Sequence, residues 1–182
     1  MNREFDVIIY GASGFTGRLV AEYMGSTYGR SINWAMAGRN TVKLAEVRDE
    51  IGASPETPLV TADADDLDSL RVMVKSAQCI CSTVGPYQLY GSELVRLCAE
   101  EGTHYVDLSG EPGWMHDMIA AHHETARASG ARIVHSCGFD SIPFDLGVYF
   151  LQQHAIKTTG EPIPRIRGRV RAMTVSYTHL TL

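Results

Sequence analysis

The fold of this chain is decided by the stretch Gly11-Ala12-Ser13-Gly14-Phe15-Thr16-Gly17, which joins an apolar, strand-like run to a helix-like run at residues 18–24. Gly11 permits a sharp turn, Gly14 leaves room for a pyrophosphate beside the backbone, and Gly17 lets the helix pack closely on the strand. The free N–H groups and the dipole at the start of the helix favour an anion. The stretch therefore predicts a dinucleotide-binding turn, and the alternative is a tight turn that binds nothing.

The residues after the second predicted strand, 32–37, indicate which dinucleotide binds. An acidic residue there would bond the 2′-hydroxyl of NAD, but the chain has none at this place. Arg39 stands there instead, and a guanidinium can hold a 2′-phosphate with two hydrogen bonds. Asn40 and Lys43 could add donors. We therefore predict NADP as the cofactor and regard NAD as less favoured, the alternative for Arg39 being a solvated surface side chain.

Four further strands are predicted at residues 58–62, 78–84, 104–111 and 131–137, each followed by a helix. This alternation predicts an α/β fold, a Rossmann-type doubly wound parallel sheet with helices on both faces. Asp63, after the third strand, is expected near the adenine, whereas Asp65 and Asp66 are expected to cap the next helix or face solvent. The loop after the fourth strand is expected to run along the cofactor.

The predicted cofactor-binding residues lie at the ends of the first four strands. They are Gly11, Ser13, Gly14, Phe15, Thr16, Gly17, Arg39, Asn40, Lys43, Asp63, Thr83, Val84, Gly85, Pro86 and Tyr87. The Ser13 and Thr16 hydroxyls add hydrogen bonds to phosphate. Tyr87 either stacks or donates a proton, or it packs the loop with its hydroxyl in water.

Composition and charge restrict the other functions. A formal net charge of -5 argues against a general nucleic-acid binder, which needs a basic surface. Residues 1–6 are charged and lack the apolar core of a signal peptide, so a cytoplasmic or peripherally associated protein is expected.

The four cysteines form no C-x-x-C pair and indicate reduced thiols, with Cys137 packed rather than nucleophilic. The adjacent His122 and His123 point to different helix faces, and no metal site is predicted.

Four stretches together resemble the saccharopine dehydrogenase-like oxidoreductases, and in particular the trans-acting enoyl reductases. They are residues 11–17, residues 83–87 (Thr-Val-Gly-Pro-Tyr), residues 104–111 (His-Tyr-Val-Asp-Leu-Ser-Gly-Glu) and residues 137–145 (Cys-Gly-Phe-Asp-Ser-Ile-Pro-Phe-Asp). The resemblance covers roughly residues 4–174. It implies an NAD(P)-binding domain followed, in full-length relatives, by a larger substrate and dimerisation domain that is mostly absent here. It also implies reduction of double bonds in lipid or polyketide intermediates, and an association of related animal proteins with lipid droplets.

The domain organisation follows from this resemblance. We predict an NAD(P)-binding domain at residues 1–154, the start of a truncated substrate or dimerisation domain at 155–174, and a non-native tail at 175–182, which resembles translated cloning sequence. Charge alternates over residues 165–171 as in a two-faced strand. Apolar surface around Ile142, Phe144, Leu146 and Phe150 is expected to be exposed. The full-length protein is expected to be a homo-oligomer with a small-molecule or lipid-type substrate and a peripheral membrane or lipid association.

The leading hypothesis is an NADP-dependent oxidoreductase, with this chain itself inactive. Hydride transfer needs a complementary proton donor, and the candidates are Tyr87, Asp107 and Glu111. A carboxylate would need a raised pKa to donate near neutrality. The chain contains no Tyr-x-x-x-Lys, which argues against the short-chain dehydrogenase mechanism. The alternatives are a catalytically silent NADP sensor and a saccharopine-type amino-acid dehydrogenase.

Overall fold

The computed structural model describes residues 3–171, and the chain divides into two compact units between Phe139 and Asp140. The first unit alternates strands and helices, as predicted. Its elements are β1 (Phe5–Tyr10), α1 (Phe15–Thr27), β2 (Trp34–Gly38), α2 (Thr41–Glu50), β3 (Leu59–Thr61), α3 (Leu67–Ser76), β4 (Ala77–Ser82), α4 (Tyr87–Tyr90), α5 (Ser92–Glu101), β5 (His104–Asp107), α6 (Pro112–Ser129) and β6 (Ile133–Val134). The second unit contains α7 (Ile142–Thr159).

The six strands form one parallel sheet in the order β3-β2-β1-β4-β5-β6. Strand order reverses between β1 and β4, so the crevice outside the carboxyl ends of these two strands is the place where such sheets bind ligands. The predicted Rossmann-type fold is confirmed.

Both faces of the sheet are buried against helices, because successive residues of a strand point to opposite faces. Ile8 of β1 packs with Ile80 and Leu70 on the face that carries α3, α5 and α6. Ile9 packs with Met36 and Leu44 on the face that carries α1 and α2. All these side chains are fully buried. Burial on two faces explains why the central strands are nearly continuous apolar runs.

Four local predictions differ from the structure. The predicted fifth strand, 104–111, ends at Asp107. The predicted sixth strand, 131–137, is reduced to Ile133–Val134, because the backbone at Ser136 has a positive φ of 60° and leaves the strand conformation. The predicted loop between β4 and α5 contains the helical turn α4. Residues 165–171 form no strand, and the described part of the second unit offers no strand to pair with them.

The second unit shows the exposed apolar surface that was predicted. Ile142, Phe144, Leu146 and Phe150 are between 38% and 69% exposed on α7. The domain boundaries predicted at residues 154 and 174 stay predictions, and the predicted tail at 175–182 lies outside the described residues. No helix within residues 3–171 has both the length and the apolar character needed to cross a membrane.

Candidate functional site

The glycine turn between β1 and α1 is shaped by close backbone packing at two of its three glycines. Gly11 has a φ of +87°, and a Cβ there would lie 2.7 Å from Thr83 Oγ1. A Cβ at Gly17 would lie 2.1 Å from the carbonyl oxygen of Gly11. Both distances are far inside van der Waals contact, so the fold itself requires these two glycines.

Gly14 differs from the other two glycines because only one atom lies near the position that a Cβ would take. A Cβ at Gly14 would meet only the Gly11 carbonyl oxygen, at 3.3 Å. Gly14 is the N-cap of α1, and neither a capping side chain nor an acidic residue occupies the first turn. The N–H groups at the start of α1 are therefore left without a capping side chain, as in helix starts that bind phosphate.

The residues predicted for the adenosine half lie at the carboxyl ends of β2 and β3. Arg39 is exposed directly after β2. Asn40 caps α2, since its Oδ1 accepts a hydrogen bond from the Lys43 N–H at 3.0 Å. Asp63 accepts a hydrogen bond from the Asp65 N–H at 3.1 Å, in the loop after β3. The predicted residues of this half are thus brought to one edge of the sheet.

The charges of Asp63, Asp65 and Arg39 lie close enough to Tyr10, at the end of β1, to affect its pKa. Burial raises the pKa of Tyr10 to about 12, and the negative charges of Asp63 and Asp65 add to the increase. The positive charge of Arg39 acts in the opposite direction. Asp66 is separate, since it caps α3 by accepting the Asp68 and Ser69 N–H groups at 3.1 and 3.2 Å. The capping alternative predicted for Asp66 is confirmed.

The loop after β4 forms the second wall of the crevice. The backbone N–H and the hydroxyl of Thr83 both donate to the Tyr10 carbonyl oxygen, at 2.9 and 3.0 Å. Val84 lies against Gly11, because a Cβ on that glycine would lie 2.8 Å from Val84 Cγ2. Gly85 and Pro86 follow, joined by a cis peptide bond. The predicted residues 83–86 thus run beside the glycine turn.

Tyr87 is buried, with 2% of its surface exposed. Its hydroxyl donates to the Ser82 carbonyl oxygen at 3.1 Å and accepts from the Leu108 N–H at 3.3 Å. Its ring packs on Trp114 with centroids 5.4 Å apart. In the described structure Tyr87 therefore packs the loop, but its hydroxyl is buried and hydrogen-bonded, whereas the second alternative expected it in water.

Asp107 is buried at the end of β5 and pairs with a residue that the sequence analysis did not select. His135 Nδ1 donates to Asp107 Oδ2 over 2.6 Å, and Asp107 Oδ1 accepts from the Ser109 and Ser136 N–H groups at 3.0 and 2.9 Å. Burial alone would raise the pKa of Asp107. The hydrogen bonds from His135 and the two N–H groups, together with the charge of His135, outweigh burial and lower that pKa.

The imidazole of His135 is enclosed by aromatic rings. Its centroid lies 5.1 Å from Trp114 and 5.9 Å from Tyr105, both in edge-on geometry. The Asp107–His135 pair ties the carboxyl end of β5 to the residues after β6, where Ser136 takes its positive φ. In the sequence, His135 lies near the end of the predicted sixth strand, 131–137. Nothing in the sequence indicated that Asp107 is its partner.

Glu111, the third catalytic candidate, caps the short helix α4. Its two carboxylate oxygens accept the N–H groups of Tyr87 and Gln88, each at 2.8 Å. The structure therefore gives each candidate donor another function: Tyr87 packs, Asp107 holds His135 with a lowered pKa, and Glu111 caps. Their assignment as proton donors stays a prediction that this geometry does not support.

Burial raises the pKa of Cys137, and the negative charge of Asp107 raises it further, while a backbone hydrogen bond opposes the change. The thiol is therefore protonated at neutral pH, as expected for a packed cysteine. Residues 3–171 contain no group of three or more side chains arranged to hold a metal ion.

Comparisons with known proteins agree with this geometry. A family model described as the saccharopine dehydrogenase NADP-binding domain matches residues 7–134. The Mycobacterium tuberculosis protein Rv2449c is 48% identical over 159 residues, which is 87% of this chain and 38% of the relative. The trans-acting enoyl reductase of Mycobacterium leprae is 45% identical over 161 residues, with the same two coverages. The chain thus spans about two fifths of the length of these relatives.

Solved structures with a similar fold include two enzymes. Saccharopine dehydrogenase (L-Glu forming) from Saccharomyces cerevisiae superposes with a TM-score of 0.56 at 17% identity, over 85% of this chain and 30% of that one. Citrobacter sp. triphenylmethane reductase complexed with NADP(H) gives a TM-score of 0.52 at 14% identity, over 86% of this chain and 55% of that one. At such identities the likeness concerns the fold alone.

Proposed function

The chain belongs to the saccharopine dehydrogenase NADP-binding domain family, and on that premise we propose that it is the cofactor-binding part of an NADPH-dependent reductase acting on enoyl groups. The cofactor is NADP, in line with the family. The enoyl substrate is proposed from the relatives of 44–48% identity, several of which are named trans-acting enoyl reductases.

The observation that carries the proposal is the sparse packing at Gly14. A Cβ would overlap neighbouring atoms at Gly11 and Gly17, whereas at Gly14 it would meet a single oxygen at 3.3 Å, at the start of a helix without a side-chain cap. A pyrophosphate placed there would accept hydrogen bonds from backbone N–H groups and face the positive end of the helix dipole. Arg39 stands on the same edge of the sheet, where a 2′-phosphate extends from the adenosine ribose.

Bound NADPH would supply the hydride, and the residues of this chain bind and orient it. The glycine turn holds the pyrophosphate, and Arg39 pairs with the 2′-phosphate. The wall at residues 83–86 limits where the nicotinamide half can lie. The three candidate proton donors, Tyr87, Asp107 and Glu111, are each held in another contact in the described structure.

The finer parts of the proposal concern the whole protein. We propose a small-molecule substrate of lipid or polyketide type, because the relatives' names specify an enoyl group. A homo-oligomeric state, a cytoplasmic location and a peripheral association with membranes or lipid stay predictions.

The experiment that tests the function uses the full-length protein and follows NADPH oxidation at 340 nm. We expect oxidation with a long-chain enoyl thioester, none with a keto acid plus an amino donor, and no reduction of NADP by an amino acid in the reverse assay. Turnover of an amino acid instead would support the saccharopine-type alternative. NADPH binding without oxidation of any of these substrates would support a sensor.

A further inference from the structure

The strongest unexplained feature of the candidate site is the carboxylate of Glu111. It is not on the crevice wall, yet it binds the loop that forms the wall. Both of its oxygens are used, one for each of two consecutive backbone N–H groups. Hydrogen bonds from N–H groups to a carboxylate are among the strong ones in proteins. Such a contact fixes the position of the segment that it holds.

The wall segment is anchored at both of its ends. At its start, Thr83 is bonded to the Tyr10 carbonyl oxygen through both its N–H and its hydroxyl. At its end, the N–H groups of Tyr87 and Gln88 are held by Glu111, and the Tyr87 hydroxyl is bonded to Ser82 and Leu108. Residues 84–86 lie between these two anchors.

Glu111 itself is held by a rigid element. It is the N-cap of α6, and its carbonyl oxygen accepts the Met115 N–H at 3.0 Å. Its own N–H donates to the Ser109 hydroxyl at 3.2 Å. The side chain therefore connects an 18-residue helix to the wall segment across the carboxyl edge of the sheet.

We propose that Glu111 is a positioning residue that sets residues 84–86 against the nicotinamide half of bound NADPH. The inference rests on the proposed function, because it needs a dinucleotide in the crevice. A doubly wound sheet has two mononucleotide-binding halves, and the wall belongs to the half built by β4, β5 and β6. Glu111 therefore acts on nicotinamide mononucleotide binding and leaves the adenosine half unaffected.

The test compares two ligands on the 182-residue chain by titration calorimetry. NADPH occupies both halves of the crevice, whereas adenosine 2′,5′-bisphosphate occupies only the adenosine half. In Glu111→Gln one oxygen is replaced by an NH₂ group that faces a backbone donor. We expect NADPH to bind about tenfold more weakly and adenosine 2′,5′-bisphosphate to bind within about twofold of the wild type, since only the ordering of the wall changes.

The matched control is Glu93→Gln on α5, which makes the same chemical change at an exposed carboxylate paired with Arg96. It should alter neither affinity. If Glu111→Gln does not fold, Tyr87→Phe removes the hydroxyl contacts of the same anchor and carries the same expectation. Folding of each variant is checked by its melting transition.

Two results would overturn the proposal. Unchanged NADPH affinity in folded Glu111→Gln would show that the anchor does not affect the cofactor. Parallel weakening of both ligands would show that Glu111 supports the fold in general. Failure of the wild type to bind either ligand would instead refute the proposed function, and the positioning role with it.

Discussion

Two alanine variants of the glycine turn separate what the fold requires from what the cofactor requires. Gly17→Ala places a Cβ 2.1 Å from the Gly11 carbonyl oxygen, and α1 would have to move by about 1 Å to relieve the contact. Gly14→Ala places its Cβ 3.3 Å from that same oxygen, a contact that a shift of a few tenths of an ångström relieves. The φ and ψ of Gly14, -83° and 169°, are available to alanine.

The expected effects differ in kind. Overpacking against the backbone in Gly17→Ala should cost about 3 kcal/mol, of which the helix preference of alanine returns about 1, leaving a loss of about 2 kcal/mol in the free energy of unfolding. Gly14→Ala should cost about 1 kcal/mol or less, as expected for an N-cap exchange of this kind. Its NADPH affinity should fall at least about tenfold, because the methyl group takes the space of the pyrophosphate.

Urea unfolding followed by circular dichroism measures the first effect, and titration calorimetry with NADPH measures the second. Wild-type stability in Gly17→Ala would contradict the packing argument. Unchanged affinity in folded Gly14→Ala would refute the assignment of the cofactor site and reduce the stretch to a tight turn.

Three further predictions concern the cofactor and pH. Arg39→Ala should remove a roughly ten- to hundredfold preference for NADP over NAD, which corresponds to a charge-assisted hydrogen bond of about 1.5–3 kcal/mol. The affinity for NAD, measured by calorimetry, should stay unchanged. Equal binding of both nucleotides by the wild type would rule this out. NADP at a hundredfold excess over its dissociation constant should stabilise the chain by about 2.7 kcal/mol and raise its melting temperature by roughly 5–10 °C in a fluorescence melt, with NAD giving a smaller rise. The pKa of Asp107 is lowered in the folded state, so its contribution to stability is present above the unfolded value of about 4 and is lost as pH falls through the folded value. Asp107→Asn should therefore lower the urea midpoint at pH 7 and flatten its decline between about pH 5 and pH 2, and a decline as steep as in the wild type would contradict this.

The sheet could be predicted because its signals are local. Apolar runs follow one another at the spacing of a βαβ unit, and the glycine turn identifies the run before it as the first strand of that fold. The strand order confirms the predicted sheet. Arg39 was selected from its position after the second strand alone, and its role stays a prediction.

The interior of the site could not be predicted, because it depends on contacts between residues distant in sequence. Glu111 binds N–H groups 23 and 24 residues earlier, and this contact makes the helical turn α4 out of a predicted loop. His135 binds Asp107 across 28 residues. Ser136, next to His135 of that pair, has a positive φ that shortens β6. Nothing about a serine in a sequence predicts that backbone conformation. Only the folded chain shows which of several strand-end polar groups meet.

The position of β1 in the sheet has a consequence for biosynthesis. β1 is an interior strand, paired with β2 on one side and β4 on the other. β4 ends about 70 residues after β1, and at about 5–20 residues per second that length takes roughly 4–14 s to synthesise. For those seconds Phe5–Tyr10 can pair only with β2, and its other edge stays open. That interval during translation is when an apolar strand edge of this chain is available to a chaperone or to a neighbouring nascent chain.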